Sequence, residues 1–319
     1  MNAKADNTAP PPQEQPATRE AAFGARLALG ALWLLHFLPY GAIGRIGTAV
    51  GLVLWPLARR RRAIALRNLE LCFPQWTEAE RKRVAKAHFV CVSRAFLDRV
   101  VLWWASPQRL ARVLHLEGAV EEALHGKGSA LLLGLHFEGM DAAWTALTLA
   151  ARRPLSGMYT PQKSKALDRW VLDGRSRFHT ERIVSRRDGA SGMLRALRRG
   201  TPFYTLPDMD FGERHSRFIP FFGVPAATLD AVPRLAASSK ARVYPVVARM
   251  LPGYAGYAIT VYPVWDDFPR MTGGTLADLD ADLLRMNRFI EQRVLEMPEQ
   301  YHWVHKRFKT RPPGEPSLY

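Results

Sequence analysis

The chain has 319 residues and carries 45 lysines and arginines against 29 aspartates and glutamates, a formal net charge of +16 that points to an acidic partner or surface. Hydrophobic residues make up 48% and charged residues 23%, too apolar for a disordered chain, and the length holds one large domain or two small ones. The cysteines are Cys72 and Cys91, with no CxxC, which argues against a disulfide scaffold or a thiolate zinc site, fits a reducing compartment and makes buried packing the ordinary reading of both.

Residues 1–18 mix proline, glutamine, small and charged residues without hydrophobic periodicity and read as a disordered tail. No charge occurs from Leu27 to Gly44, although Pro39 and several glycines interrupt the run; Arg45 ends it, and a second apolar run extends from Ile46 to Ala58. The first run reaches the lower limit for a membrane span of roughly 20 residues, whereas Pro39 suits a bent hairpin lying in the interface. A buried helical pair is the alternative. The long tail of mixed charge in front does not have the form of a cleaved signal peptide. Arg59-Arg60-Arg61-Arg62 and Arg67 follow at once, a cluster that would hold the next domain on the cytoplasmic side and grip anionic headgroups, or would form a solvated helix face. The division expected is a tail over 1–18, a membrane-associating helical segment with a basic flank over 19–62, and a catalytic domain over 63–319.

From residue 63 the pattern alternates. Helical spacing covers Ala63 to Leu71 and Thr77 to Val101, the second opened by a Thr77-x-x-Glu80 capping box, with a break at Phe73-Pro74. Ser129 to Leu135 reads as a buried strand, followed by a loop at His136 and a helix from about Gly139 to Ala150. Further strands are expected at Leu155 to Tyr159, Pro202 to Leu206, Arg242 to Arg249 and Tyr257 to Tyr262. Helices are expected at Leu167 to Phe178, Ala190 to Arg199, Ala231 to Ser239 and Leu276 to Met297. Strands alternating with helices indicate an α/β fold around a mixed, mostly parallel sheet.

The sharpest chemical arrangement is His136-Phe137-Glu138-Gly139-Met140-Asp141, directly after the buried strand, where open α/β sheets gather functional groups. With a helix starting near Gly139, Asp141 lies in its first turn and could reach back to one imidazole nitrogen, leaving the other as a base for an acceptor hydroxyl. A hydrogen-bonded loop histidine is the plainer alternative. Asp208 and Asp210 end another strand in Pro207-Asp208-Met209-Asp210-Phe211-Gly212; with period-2 geometry they would face one side and orient a cation, a hydroxyl or a metal, and turn chemistry explains them as well. Basic residues crowd the middle of the chain, with Arg175, Arg186, Arg187 and Arg214 nearest the expected loops and suited to phosphate or carboxylate oxygens. The apolar stretches Leu131 to Leu135 and Phe218 to Phe222 are candidate walls of an acyl channel, a core role being the alternative for the leucines. The chain has no G-x-S-x-G elbow, phosphate loop, dinucleotide fingerprint or H-E-x-x-H, and His302 with His305 lacks an evident third metal ligand. No cofactor or metal is expected.

In order along the chain, several motifs together resemble the late acyltransferases of lipid A biosynthesis, the lauroyl and myristoyl transferases of the lysophospholipid acyltransferase superfamily. They are Asn68-Leu69 with Cys72-Phe73-Pro74, Trp103-Trp104, His136-x4-Asp141, Asp168 with Gly174-Arg175, Arg186-x-Asp188, Pro207-Asp208-x-Asp210-x-Gly212, Phe218-x-Pro220, and the stretch from Pro298 to Pro312 with Trp303-x-His305-x-Arg307-Phe308. The resemblance implies transfer of a fatty acyl chain from an acyl carrier protein thioester to a hydroxyl of a phosphorylated, Kdo-bearing tetra-acylated glucosamine disaccharide, on the cytoplasmic face of a bacterial inner membrane. It implies His136 as base with Asp141 as its orienting partner, Arg175 as a binder of substrate or transition-state charge, and Asp208 and Asp210 in a second block of the site; Arg186 and Arg214 are further substrate-binding candidates from their place near the expected loops. Asp141 stands where the family often has glutamate, and Met209 where it often has a polar residue. An acyl-CoA donor or another membrane lipid is the nearest alternative. A metal-dependent glycosyltransferase using Asp208 and Asp210 is a remoter one, and a nucleic-acid binder would have little use for the apolar region from Leu27 to Ala58.

Overall fold

In the computed structural model, which describes residues 19–162, 164–185 and 189–319, the apolar region forms two helices, α1 (Arg19–Leu35) and α2 (Tyr40–Leu57), broken just before Pro39. One face of α2 carries Ile43, Gly44, Gly47 and Gly51, all buried, and it lies against α4 (Glu78–Trp104). The glycines permit that approach: a Cβ on Gly47 would stand 2.8 Å from the Arg94 Cα, and one on Gly51 2.6 Å from the Val90 Cα. Beside that face the helix leaves Ile46, Val50, Val53, Leu54 and Leu57 exposed. The arginine run opens α3 (Arg59–Cys72), and the Thr77–Glu80 capping box starts α4 as its sequence predicts. The tail at 1–18, Lys163, and Arg186 with Arg187 lie outside the described residues.

After the short helix α5 (Pro107–Leu110), a seven-stranded sheet forms the centre. Its strands are β1 (Leu114–Gly118), β2 (Ala130–Gly134), β3 (Leu155–Tyr159), β4 (Thr180–Ser185), β5 (Phe203–Thr205), β8 (Arg242–Met250) and β9 (Tyr257–Val261), in the order β1-β9-β8-β2-β5-β3-β4. Only β8 and β9 pair antiparallel. β6 (Ser216–Phe221) and β7 (Val224–Leu229) form a separate hairpin. Every strand expected from an apolar run is present; β1, β4 and the hairpin add to them. β1 and β4 are the sheet's two edges, and their solvent-facing glutamates, His115 and Arg182 break the apolar run that marks a buried strand.

Side chains alternate across β2, so Leu132 packs beneath α4 and α7 (Met140–Ala150), and Leu131 and Leu133 pack against the other layer. That layer holds α9 (Gly189–Arg198), α10 (Ala231–Ser239) and the start of α11 (Leu279–Glu296). Two smaller helices, α6 (Val120–His125) and α8 (Lys165–Arg175), complete the connections. A third apolar cluster seats the C-terminal segment: Tyr301, Trp303 and Phe308 pack with Phe73, Phe137 and Phe221. The Asn68 side-chain amide fastens this segment by donating to the carbonyls of Trp303 and His305, each at 2.7 Å.

Candidate active site

The register of the sheet builds the site. Leu131, Leu132 and Leu133 of β2 stand opposite Phe203, Tyr204 and Thr205 of β5. Three residues past those strand pairs, the same offset sets His136 beside Asp208. The Asp208 carboxylate accepts from the His136 backbone N–H at 2.9 Å and from its Nδ1 at 2.6 Å. Burial works against a charge on Asp208, but His136, its two hydrogen bonds and Arg307 outweigh it and hold the carboxyl below its usual range. An ionised carboxylate only accepts, so Nδ1 carries the proton and the Nε2 of a neutral His136 keeps its lone pair. Nε2 has no hydrogen-bond partner among the described residues.

This corrects the expected partner of His136. Asp141 does lie in the first turn of α7, but two guanidiniums take up its carboxylate. Arg175, at the end of α8, reaches Oδ1 at 2.7 Å, and Arg99 of α4 reaches Oδ2 at 2.8 Å. Burial would raise the Asp141 pKa; the two arginines reverse that and bring it down to about 2. Charge attraction to two fixed cations wins over the local reach to one neutral ring. The Arg175 carbonyl is itself held, by Trp144 Nε1 at 2.7 Å and by the Thr180 hydroxyl at 3.1 Å.

Asp208 and Asp210 do not work as a pair. Asp210 accepts from the Thr310 N–H at 2.6 Å, the Thr310 hydroxyl at 2.8 Å and the Gly212 N–H at 3.0 Å, tying the C-terminal segment down. Met209 between them is buried in the third apolar cluster. Arg214 lies in an exposed turn before β6, and Arg186 is outside the described residues. His302 and His305 separate as well. His302 Nδ1 lies 2.8 Å from a Glu138 oxygen, while His305 Nε2 faces the Asp210 carbonyl at 3.3 Å.

The leucines of β2 are core, not channel wall: Leu131, Leu132 and Leu133 are fully buried between the layers. A narrow recess of about 20 Å³, room for little more than a water molecule, lies instead beside Asp141 and Arg175, with Trp144, Met158, Ile183 and Leu206 as apolar walls. Tyr204 also lines it, buried near the charges of Asp141, Arg175 and Asp208. Arg99 and Glu138 belong to that site and escaped the sequence reading. Arg99 sits on a long helix one turn before Trp103-Trp104, where nothing local pairs it with Asp141; Glu138 lies inside the histidine motif, but nothing local pairs it with residue 302.

The family described as bacterial lipid A biosynthesis acyltransferase matches residues 14–310. The lipid A biosynthesis lauroyltransferase of Escherichia coli is 34% identical over 296 residues, covering 92% of this chain and 94% of its own. The palmitoleoyltransferase of that organism is 31% identical, covering 91% and 92%, and its myristoyltransferase 31%, covering 93% and 90%.

Proposed function

This chain belongs to the bacterial lipid A biosynthesis acyltransferase family and is a lipid A acyltransferase, and from that premise we propose that it moves a fatty acyl chain from an acyl carrier protein thioester to a hydroxyl of a Kdo-bearing, tetra-acylated glucosamine disaccharide. The observation that carries the mechanism is the pairing of His136 with Asp208 at the carboxyl end of β2. Nε2 of neutral His136 removes the acceptor proton as the hydroxyl oxygen attacks the thioester carbonyl, and the departing thiolate takes that proton back. Asp208 fixes the tautomer and stabilises the imidazolium between the two transfers. Both thiols of the chain are buried, and burial pushes them up, Cys91 to about 12, so attack by the acceptor itself needs no acyl-enzyme. Arg175, held by Asp141 beside the apolar recess, offers charge to a phosphate or carbonyl oxygen.

The place of action is the cytoplasmic face of a bacterial inner membrane. Among the described residues α2 is the one helix long and apolar enough to cross a bilayer. Its glycine face is packed on α4, so its exposed apolar face, with that of α1, supports a hairpin lying in the interface in front of the domain at 63–319. Arg59 to Arg62 occupy the first turn of α3, where the helix dipole disfavours cations, and their placement beside that face fits anionic headgroups as the compensating partner.

The test is incubation of detergent-solubilised full-length protein with lauroyl, myristoyl or palmitoyl thioesters of acyl carrier protein and of coenzyme A, followed by mass analysis of the lipid. The acceptor should gain one acyl unit from the carrier protein donor. Gain from coenzyme A alone would replace the donor, and no gain from any donor, beside a working relative, would contradict the acceptor.

A further inference from the structure

The segment that closes over the site brings a second imidazole beside the first. Residues 136–138 and 300–302 run antiparallel. The Glu138 N–H donates to the Gln300 carbonyl at 2.9 Å and the His302 N–H to the His136 carbonyl at 3.0 Å, on either side of the bridge between Phe137 and Tyr301. In such a pair, directly opposed residues share a face and successive residues alternate. Phe137 and Tyr301 accordingly enter the core with ring centroids 5.5 Å apart, and His136 and His302 oppose each other on the other face at 6.5 Å. Glu138, two residues from His136, shares that face, and its buried carboxylate meets His302 Nδ1 at 2.8 Å.

The site thus contains two imidazoles, each gripped through Nδ1 by a buried carboxylate and each with Nε2 free of hydrogen bonds to the described residues. The His302 side chain is 29% exposed and that of His136 19%, so both remain open to substrate. Charge separates them. Burial opposes ionisation of both Glu138 and His302, yet their attraction and hydrogen bond outweigh it, holding the carboxyl below and the imidazolium above its usual range. The other groups around His302 come from several elements: His136 and Asp208 from the loops after β2 and β5, His88 from α4, Arg61 from α3, and His305 from its own segment. Asp208 favours the charge on His302 and Arg61 opposes it; His88 and His305 are brought down to about 4 by burial and stay neutral.

We propose that His302, oriented by Glu138, is a second catalytic imidazole, whose Nε2–H donates to the thioester carbonyl oxygen while His136 takes the proton of the acceptor hydroxyl. The assignment rests on the acyl-transfer reading above. In the first step the hydroxyl oxygen forms the new C–O bond, the carbonyl π pair moves onto oxygen and the hydroxyl proton passes to His136 Nε2. In the second that oxygen pair re-forms the carbonyl, the C–S bond breaks, and sulfur leaves with the bonding pair and takes the proton from His136 as a thiol. His302 keeps its own proton throughout and holds the oxyanion in place.

The test compares full-length wild type with His302→Leu, His302→Gln and Glu138→Gln, measuring kcat and KM for acyl carrier protein thioester and tetra-acylated acceptor across pH. His302→Leu should lower kcat by about 10²- to 10³-fold, the usual effect of removing one oxyanion donor, with both KM values little changed. His302→Gln, which keeps a donor, should recover part of that loss. His302 must be protonated to donate, so activity falls as pH rises through its folded pKa. Removing the Glu138 charge lowers that pKa, and the alkaline limb of kcat should move to lower pH in Glu138→Gln. The imidazole resonances of His302, followed by NMR titration, should show that shift without any turnover. Unchanged kcat in both His302 variants, or an unmoved alkaline limb, overturns the assignment and leaves the acyl-transfer reading standing. If His302→Leu fails to fold, the other two variants decide by these same criteria. A wild-type chain that transfers nothing overturns the reading and this inference with it.

Discussion

Three acidic residues near the site carry three different jobs, and the partner of each decides which. Asp208 meets an imidazole and fixes its tautomer; Asp141 meets two guanidiniums and anchors them; Asp210 meets the backbone and hydroxyl of Thr310 and closes the C-terminal segment. His136, Asp141 and Asp208 are all legible in the sequence as residues that end strands or open a helix. Their pairing is not, because His136 and Asp141 are neighbours in the chain whereas His136 and Asp208 are neighbours only through the register of β2 on β5. The anchoring role of Asp141 has a consequence for stability. Its folded pKa lies near 2, below the ordinary carboxylate value, so its stabilisation is present above pH 4 and is lost as pH falls from there toward 2. Asp141→Asn leaves Arg99 and Arg175 without their shared anion and should cost about 3–5 kcal/mol near neutral pH. Denaturant unfolding from pH 7 to pH 2 checks both points. The gap between wild type and variant should narrow by about 2 kcal/mol across that acid window, and a constant gap would contradict the ion-pair account.

At the scale of elements, the central strands and nearly all helices were readable because each is a buried apolar run or a 3.6-residue stripe with a start signal, as in the Thr77–Glu80 box of α4. β1 and β4 were not readable, since an edge strand buries little and can carry charges such as Glu117 and Arg182. The hairpin of β6 and β7 is hidden for another reason: its phenylalanines read as channel wall, whereas Phe221 packs into the cluster that seats Tyr301 and Phe308. The first helices bury one face and leave an apolar one uncovered. α2 is packed through its glycines and bare through its aliphatic residues. Val53 and Leu57 are 59% and 69% exposed at the end nearest the arginines. Replacing both by glutamate should weaken co-flotation with anionic phospholipid vesicles by more than tenfold, from about 1.5–3 kcal/mol of lost burial per side chain, while the thermal melt in detergent stays in place. Equal flotation of the double variant would remove these residues from the membrane contact.

The whole molecule places its chemistry between two kinds of surface. One end of the central sheet carries His136, Asp208 and the recess beside Arg175; the first two helices expose an apolar face; and 45 basic against 29 acidic residues leave the chain strongly cationic. The motifs in the C-terminal segment gain a physical reason at this scale. Asn68, Asp210 and the aromatic cluster all serve to hold residues 300–310 against the loop after β2, which is how His302 comes to face His136. The central claim is that His136 and Asp208 together perform the acyl transfer. The most direct measurement is single-turnover acyl transfer from acyl carrier protein to the tetra-acylated glucosamine lipid by wild type, His136→Ala, Asp208→Asn and Asp141→Glu, each verified as folded. The account predicts a loss of at least about 10²-fold for the first two variants and a far smaller one for Asp141→Glu, which keeps the anion between its arginines. Near-normal transfer by His136→Ala, or an Asp208→Asn enzyme as fast as wild type, would contradict it.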